Sequence, residues 1–111
     1  FAAAERLFEQ SLELARRAED PQQIIAVLGD FGQAARMQND PGRAVALYEE
    51  RVTLSRELGD GRGVAWALCN LGMIAYAEGD PDIVVRVKQA TTEVEEDDPY
   101  AAFKIPDDLM W

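Results

Sequence analysis

Three groups of residues in this chain have the types that chemistry needs. Cys69 is a lone thiol, Gly59-Asp60-Gly61-Arg62-Gly63 is a Gly-rich run, and Glu78, Asp80 and Asp82 gather three carboxylates. A cysteine nucleophile needs a neighbouring base, usually histidine, and the chain contains no histidine and no second cysteine. Cys69 therefore reads as a small buried apolar residue. The Gly-rich run lacks the Gly-Lys-Ser/Thr ending of a phosphate loop and reads as a turn between helices. The three carboxylates surround a turn with Pro81 inside it, whereas a calcium loop needs a longer ladder of oxygen ligands. They read as helix-capping residues. We expect no catalytic residue, no metal site, no cofactor and no enzymatic activity.

Composition narrows the partners. The chain has 111 residues, enough for one domain or a piece of one. It begins at Phe1, which keeps open an internal segment of something longer. Its net charge is −10, which excludes the basic face that nucleic acid requires and opposes docking on anionic membranes. From Thr92 onward seven acids stand against Lys104 alone, so this end is a separate electrostatic object. One cysteine allows no intrachain disulfide, and we expect a reducing, cytoplasmic setting. No stretch approaches the roughly 18 uninterrupted apolar residues of a membrane span.

The elements that position any site follow a regular beat. Asp20-Pro21, Asp40-Pro41, Asp60-Gly61 and Asp80-Pro81 recur every twenty residues. Aspartate is a good N-cap because its carboxylate accepts from the free N–H groups of the first helical turn. Proline suits the first helical position, where no N–H is needed. Each pair thus marks a turn and a helix start. Between the pairs, apolar residues recur at helical spacing: Ala4, Leu7, Phe8, Leu12 and Ala15; Ile24, Val27, Leu28, Phe31 and Ala35; Ala44, Leu47, Tyr48, Val52 and Leu58; Val64, Leu68, Leu71, Ala75 and Tyr76. A fifth set, Val84, Val87, Thr91 and Val94, is the weakest, and its β-branched run Ile83-Val84-Val85 lowers helix propensity.

The match improves at an offset of forty residues, so the unit is a helix pair and the chain holds about two and a half units. Gly32 aligns with Gly72, Phe8 with Tyr48 and Lys88, and Ala4 with Ala44 and Val84. A mid-helix glycine costs about 1 kcal/mol relative to alanine. Close approach of the paired helix at both Gly32 and Gly72 is the expected compensation, and the alternative is a tolerated loss on an exposed face.

Leu28, Phe31-Gly32 and Ala35, then Leu68, Leu71-Gly72 and Ala75, resemble the first-helix signature of tetratricopeptide repeats. Ala4 and Phe8, and Ala44 and Tyr48, resemble the second-helix signature. The resemblance covers about residues 1–95. It is similar to the long repeats of bacterial signalling regulators and of scaffolds of the LGN and kinesin light chain kind. It implies an all-α fold, a right-handed superhelix of antiparallel helix pairs, with an irregular C-terminal tail. The expected domains are 1–96 for the repeats and 97–111 for the tail. The last unit departs from the pattern at Val84, Lys88 and Thr91, so its second helix is expected to pack loosely or against something foreign to the repeat. The first unit lacks its first helix.

The resemblance also implies a concave groove lined by first helices, and a protein or peptide as ligand. Ala26, Gly29, Asp30, Gln33, Arg36 and Met37 fall there from one unit, and Trp66, Cys69, Asn70, Met73, Tyr76 and Ala77 from the next. Asn70 matches a position where an asparagine holds the backbone of a bound peptide, although a role bridging helices stays open. Trp66, Met73 and Tyr76 offer apolar contact area or ordinary packing. Only Arg36 and Arg62 are candidates for gripping a ligand carboxylate. In the tail, Tyr100, Phe103, Ile105, Leu109 and Trp111 alternate with acids, as in segments that fold on binding. The tail then caps the array, docks on another copy, or links to a further domain. Self-assembly into a homo-oligomer through the uncapped ends and the tail is an alternative function. A third is a helical regulatory segment of a larger signalling or transcription regulator.

Overall fold

The computed structural model describes residues 2–97. Among these the chain forms five helices: α1 (Ala2–Arg17), α2 (Pro21–Met37), α3 (Pro41–Glu57), α4 (Gly61–Glu78) and α5 (Pro81–Asp97). Each packs against the next, and α5 also touches α3. The array is elongated, 52 × 32 × 16 Å, as expected when each repeat contacts only its neighbours.

The twenty-residue beat is a hydrogen-bonding device. The carboxylates of Asp20, Asp40 and Asp60 accept from the backbone N–H groups of Gln23, Arg43 and Gly63 at 3.2, 3.2 and 3.0 Å. Just before them, Glu19, Asn39 and Gly59 adopt left-handed backbone, with φ of 53°, 61° and 70°. The N–H groups of Asp20, Asp40 and Asp60 then reach back to the carbonyls of Ala15, Ala35 and Ser55. This six-to-one closure satisfies carbonyls that the helix end leaves free. One short segment therefore ends one helix and starts the next. The fourth turn differs. Gly79 (φ 61°) donates to the carbonyl of Ala75 at 3.0 Å. Asp80 accepts from the N–H of Asp82, two residues on, at 2.9 Å.

The core centres on Tyr48, which is fully buried with Leu28, Val45, Ser55 and Leu71. One continuous cluster joins Ala35, Ala44, Tyr48, Val52, Ala67, Leu71 and Ile74 to Ile83 and Val87 of α5. The glycine expectation holds at one position and fails at the other. A Cβ on Gly32 would sit 2.7 Å from Cε1 of Tyr48, so this glycine admits the ring. A Cβ on Gly72 would meet nothing within 4 Å. The reason lies one helix further on, where Lys88 occupies the register of Tyr48 and leaves the space beside Gly72 unfilled. In α5 the buried residues are Ile83 and Val87, so the weak apolar pattern still docks on the array.

The second helices are laced together on their outer side. Arg43 of α3 pairs with Glu5 and Glu9 of α1, and Arg16 of α1 pairs with Glu50. Arg86 of α5 pairs with Glu49, and Arg56 with Glu93. All of these partners are partly exposed, so each pair contributes only a few tenths of a kcal/mol to about 1 kcal/mol. Together they fix the register of α1, α3 and α5.

Candidate binding face

The first helices differ from the second in charge. Helix α2 carries only Asp30 and Arg36, and α4 only Arg62 and Glu78, whereas α1 and α3 carry six charged residues each. A surface helix with so few charges leaves apolar side chains in water. On α4 these are Trp66, Met73 and Tyr76, which are 39%, 51% and 93% exposed. Cys69 lies between them and is exposed, not buried. The buried apolar side chains of α4 are Val64, Ala67, Leu71 and Ile74, which leaves position 69 on the opposite side. The four exposed residues are spaced three, four and three apart, which places them along one side of the helix. On α2 the exposed residues include Ala26, Asp30, Gln33 and Met37. The face is thus large and apolar on α4 and smaller and more polar on α2.

The Trp66 ring has two partners, and its backbone has a third. Its ring meets the edge of Tyr48, with centroids 5.6 Å apart. The Arg51 guanidinium of α3 lies over the ring, 4.0 Å from its centroid. Its backbone carbonyl accepts from the Asn70 side-chain amide at 2.8 Å. Gly29 makes room for this arrangement, because a Cβ there would collide with the Arg51 guanidinium. Burial lowers the pKa of Arg51 from its ordinary value, and the nearby Asp60, Tyr48 and Asp30 oppose that shift. Burial likewise raises the Tyr48 hydroxyl, opposed by Arg36 and Arg51. The Arg36 guanidinium is near enough to act on that hydroxyl, though no hydrogen bond of good geometry joins them.

Asn70 bridges the two first helices. Its oxygen accepts from Nη1 of Arg36 at 3.1 Å while its nitrogen donates to Trp66. An amide has two N–H donors and two acceptor sites, so one of each remains for a ligand. Arg36 is correspondingly committed to Asn70. Gln33 and Arg62 are exposed. Beside this bridge a cleft of about 200 Å³ opens at the C-terminal ends of α2 and α4, lined by Arg36, Asn39, Pro41, Ile74, Ala77 and Glu78.

The sequence reading missed Arg51 as a residue that positions the face. Its counterparts at the forty-residue offset are Ser11 and Thr91, and Trp66 aligns with Ala26, so no repeat signal marked the pair. The tail residues Tyr100, Phe103, Ile105, Leu109 and Trp111 lie outside the described residues. Among the described residues, no group of three or more metal-ligating side chains comes together, and no helix is long and apolar enough to cross a membrane.

The helix pairs, the capped turns and the small-on-large packing of Gly32 against Tyr48 define a helical repeat. Residues 1–57, half of the chain, match the family described as Tetratricopeptide repeat, and the chain belongs to that family. Such repeats generally serve as helical scaffolds for protein interaction. Residues 74–111 match a second family, described as Uncharacterized protein conserved in bacteria (DUF2058). A stretch of 29 residues is 59% identical to Uncharacterized protein YaiL of Escherichia coli (strain K12). It spans 26% of this chain and 16% of that protein. The second match begins inside α4 and takes in Val84, Lys88 and Thr91, where the repeat pattern lapses. No solved structure matches the chain.

Proposed function

We propose that the chain is a protein-interaction module that binds a protein or peptide segment on the face formed by α2 and α4. The observation that carries this reading is the exposed stripe of Trp66, Cys69, Met73 and Tyr76 on a helix almost free of charge. A cluster of water-exposed aromatic and thioether side chains is what interface cores are enriched in. With its ring packed against Tyr48 and Arg51, Trp66 loses little entropy on binding, which favours affinity. Selection from a displayed peptide library tests the reading. Peptides enriched on the wild-type chain should lose binding to Met73→Asp and Tyr76→Asp, which keep the fold because both residues are exposed. If the enriched peptides bind these variants as well as wild type, the face is not the site.

A second reading rests on α1. Leu7 and Leu14 are 63% and 65% exposed, while Leu47 and Leu54, their counterparts in α3, are partly buried. A second copy covering Leu7 and Leu14 would make the chain a self-assembling unit. Sedimentation across concentrations should then show an oligomer that Leu7→Asp with Leu14→Asp abolishes. A monomer at all concentrations sinks this reading.

A further inference from the structure

We infer that the surface of α3 and α4 beneath α5 is a docking site for a helix presented by separate proteins of the second matching family, and that α5 is the copy of that helix built into this chain. The surface lies on the buried side of α4, opposite the exposed stripe, so this inference is independent of the readings above. The two family matches do not overlap, since one ends at residue 57 and the other begins at residue 74. The second takes in the whole of α5. Helices of this pattern are therefore carried by other bacterial chains.

On the repeat array such a helix meets a shaped seat. Ile83 and Val87, 7% and 9% exposed, join Val52 of α3 and Leu71 and Ile74 of α4 in one apolar cluster. They are four residues apart, so they lie one above the other on one side of α5. Arg86, next to Val87, pairs with Glu49 of α3, and Arg56 of α3 pairs with Glu93 of α5. The first pair has its cation on α5 and the second has its cation on α3. Ion pairs of opposite sense around an apolar contact fix the position and direction of the docked helix.

The attachment of α5 is light. Helix α3 buries Ala44, Val45, Tyr48, Val52 and Ser55, whereas α5 buries Ile83 and Val87 alone. Lys88 stands in the register of Tyr48 and is exposed, and the space beside Gly72 is unfilled. A cleft of about 160 Å³ remains between α3 and α5, lined by Glu49, Thr53, Arg56, Arg86, Gln89 and Glu93. The turn that leads into α5 closes differently from the three before it. A small apolar contact with partly exposed ion pairs is the makeup of a weak, exchangeable interface. Joining the two partners in one chain supplies an effective concentration of about millimolar, which keeps a contact of this size closed. The same contact between separate chains then forms only where the resident α5 has moved aside.

The test uses the full chain with a protease recognition sequence inserted between Gly79 and Asp80, cut once the chain has folded. On dilution, the segment 80–111 should leave while residues 1–79 keep their helical circular dichroism and cooperative unfolding. A fluorescent peptide of residues 80–111 should then rebind, and Ile83→Asp with Val87→Asp in that peptide should weaken rebinding by at least about tenfold. A purified protein of the second family should displace the peptide. It should bind the uncut chain at least about tenfold more weakly, because α5 fills the surface there. Unfolding of residues 1–79 when the segment leaves makes α5 part of the fold and overturns the inference. A segment that neither leaves on dilution nor exchanges with excess peptide overturns it too, since the surface is then closed to other chains. Rebinding indifferent to the two aspartates places the contact elsewhere. A second-family protein that fails to displace the peptide, or binds cut and uncut chain equally, leaves α5 an ordinary repeat helix and refutes the proposed partner.

Discussion

Replacing each of the two mid-helix glycines by alanine should have opposite effects. Both residues lie in the interior of a first helix, and both align at the forty-residue offset. In a helix interior, alanine is favoured over glycine by about 1 kcal/mol. At Gly72 nothing opposes that gain, because the new Cβ meets no atom within 4 Å. Gly72→Ala should stabilise the chain by about 1 kcal/mol, raising Tm by about 4–8 °C for a domain of this size. At Gly32 the new Cβ lies 2.7, 2.9 and 3.0 Å from three atoms of the Tyr48 ring. That ring is fully buried and has Trp66 on another side, so it has little room to retreat. Overpacking of a core costs about 1–3 kcal/mol. Subtracting the propensity gain, Gly32→Ala should destabilise by about 0–2 kcal/mol. Urea unfolding followed by circular dichroism gives both numbers, provided the m-value is unchanged. A third variant sharpens the logic. In a Lys88→Tyr background, an aromatic ring is restored opposite Gly72, and the gain from Gly72→Ala should shrink or vanish. Equal stabilisation by both glycine replacements would refute the packing argument.

Other perturbations follow from the same geometry. Glu19 holds a left-handed backbone that glycine adopts freely, so Glu19→Gly should stabilise by about 1 kcal/mol in the same urea assay. Asp60→Ala removes the acceptor for the Gly63 N–H and should lower stability by about 1 kcal/mol. Arg43 pairs with Glu5 and Glu9 and lies over the Phe31 ring at 4.8 Å. Arg43→Ala should cost about 1 kcal/mol at low salt and less in 1 M salt, where exposed pairs are screened. The Tyr48 pKa is raised by burial, so the folded state favours the protonated phenol. Its contribution is intact below the ordinary tyrosine pKa near 10 and falls away as pH rises through the higher folded value. Alkaline titration of stability should therefore show a loss above about pH 10 that Tyr48→Phe removes.

Much of the architecture is written locally. The aspartates at positions 20, 40 and 60 cap helices because each needs only an N–H three residues ahead. Helix boundaries, pairing and repeat length were legible for that reason. The same holds for the core residues Leu28, Phe31, Tyr48 and Leu71, whose spacing fits one side of a helix. Asp80 shows the limit, since it caps a nearer N–H and the turn before it closes differently.

The sequence by itself determined the five helices, their order and most of the apolar seams between them, because caps and periodicity act within a few residues; Leu7, Leu58 and Tyr76 fit the same spacing yet are exposed. Only the tertiary structure decided which glycine is filled and which is empty, since that depends on whether residue 48 or residue 88 arrives as a ring. It also decided that Cys69 and Tyr76 face outward, that Arg51 crosses from α3 to seat Trp66, and that Asn70 ties α4 to α2. These are contacts between helices, and their partners are set by packing geometry, not by any rule of spacing along the chain.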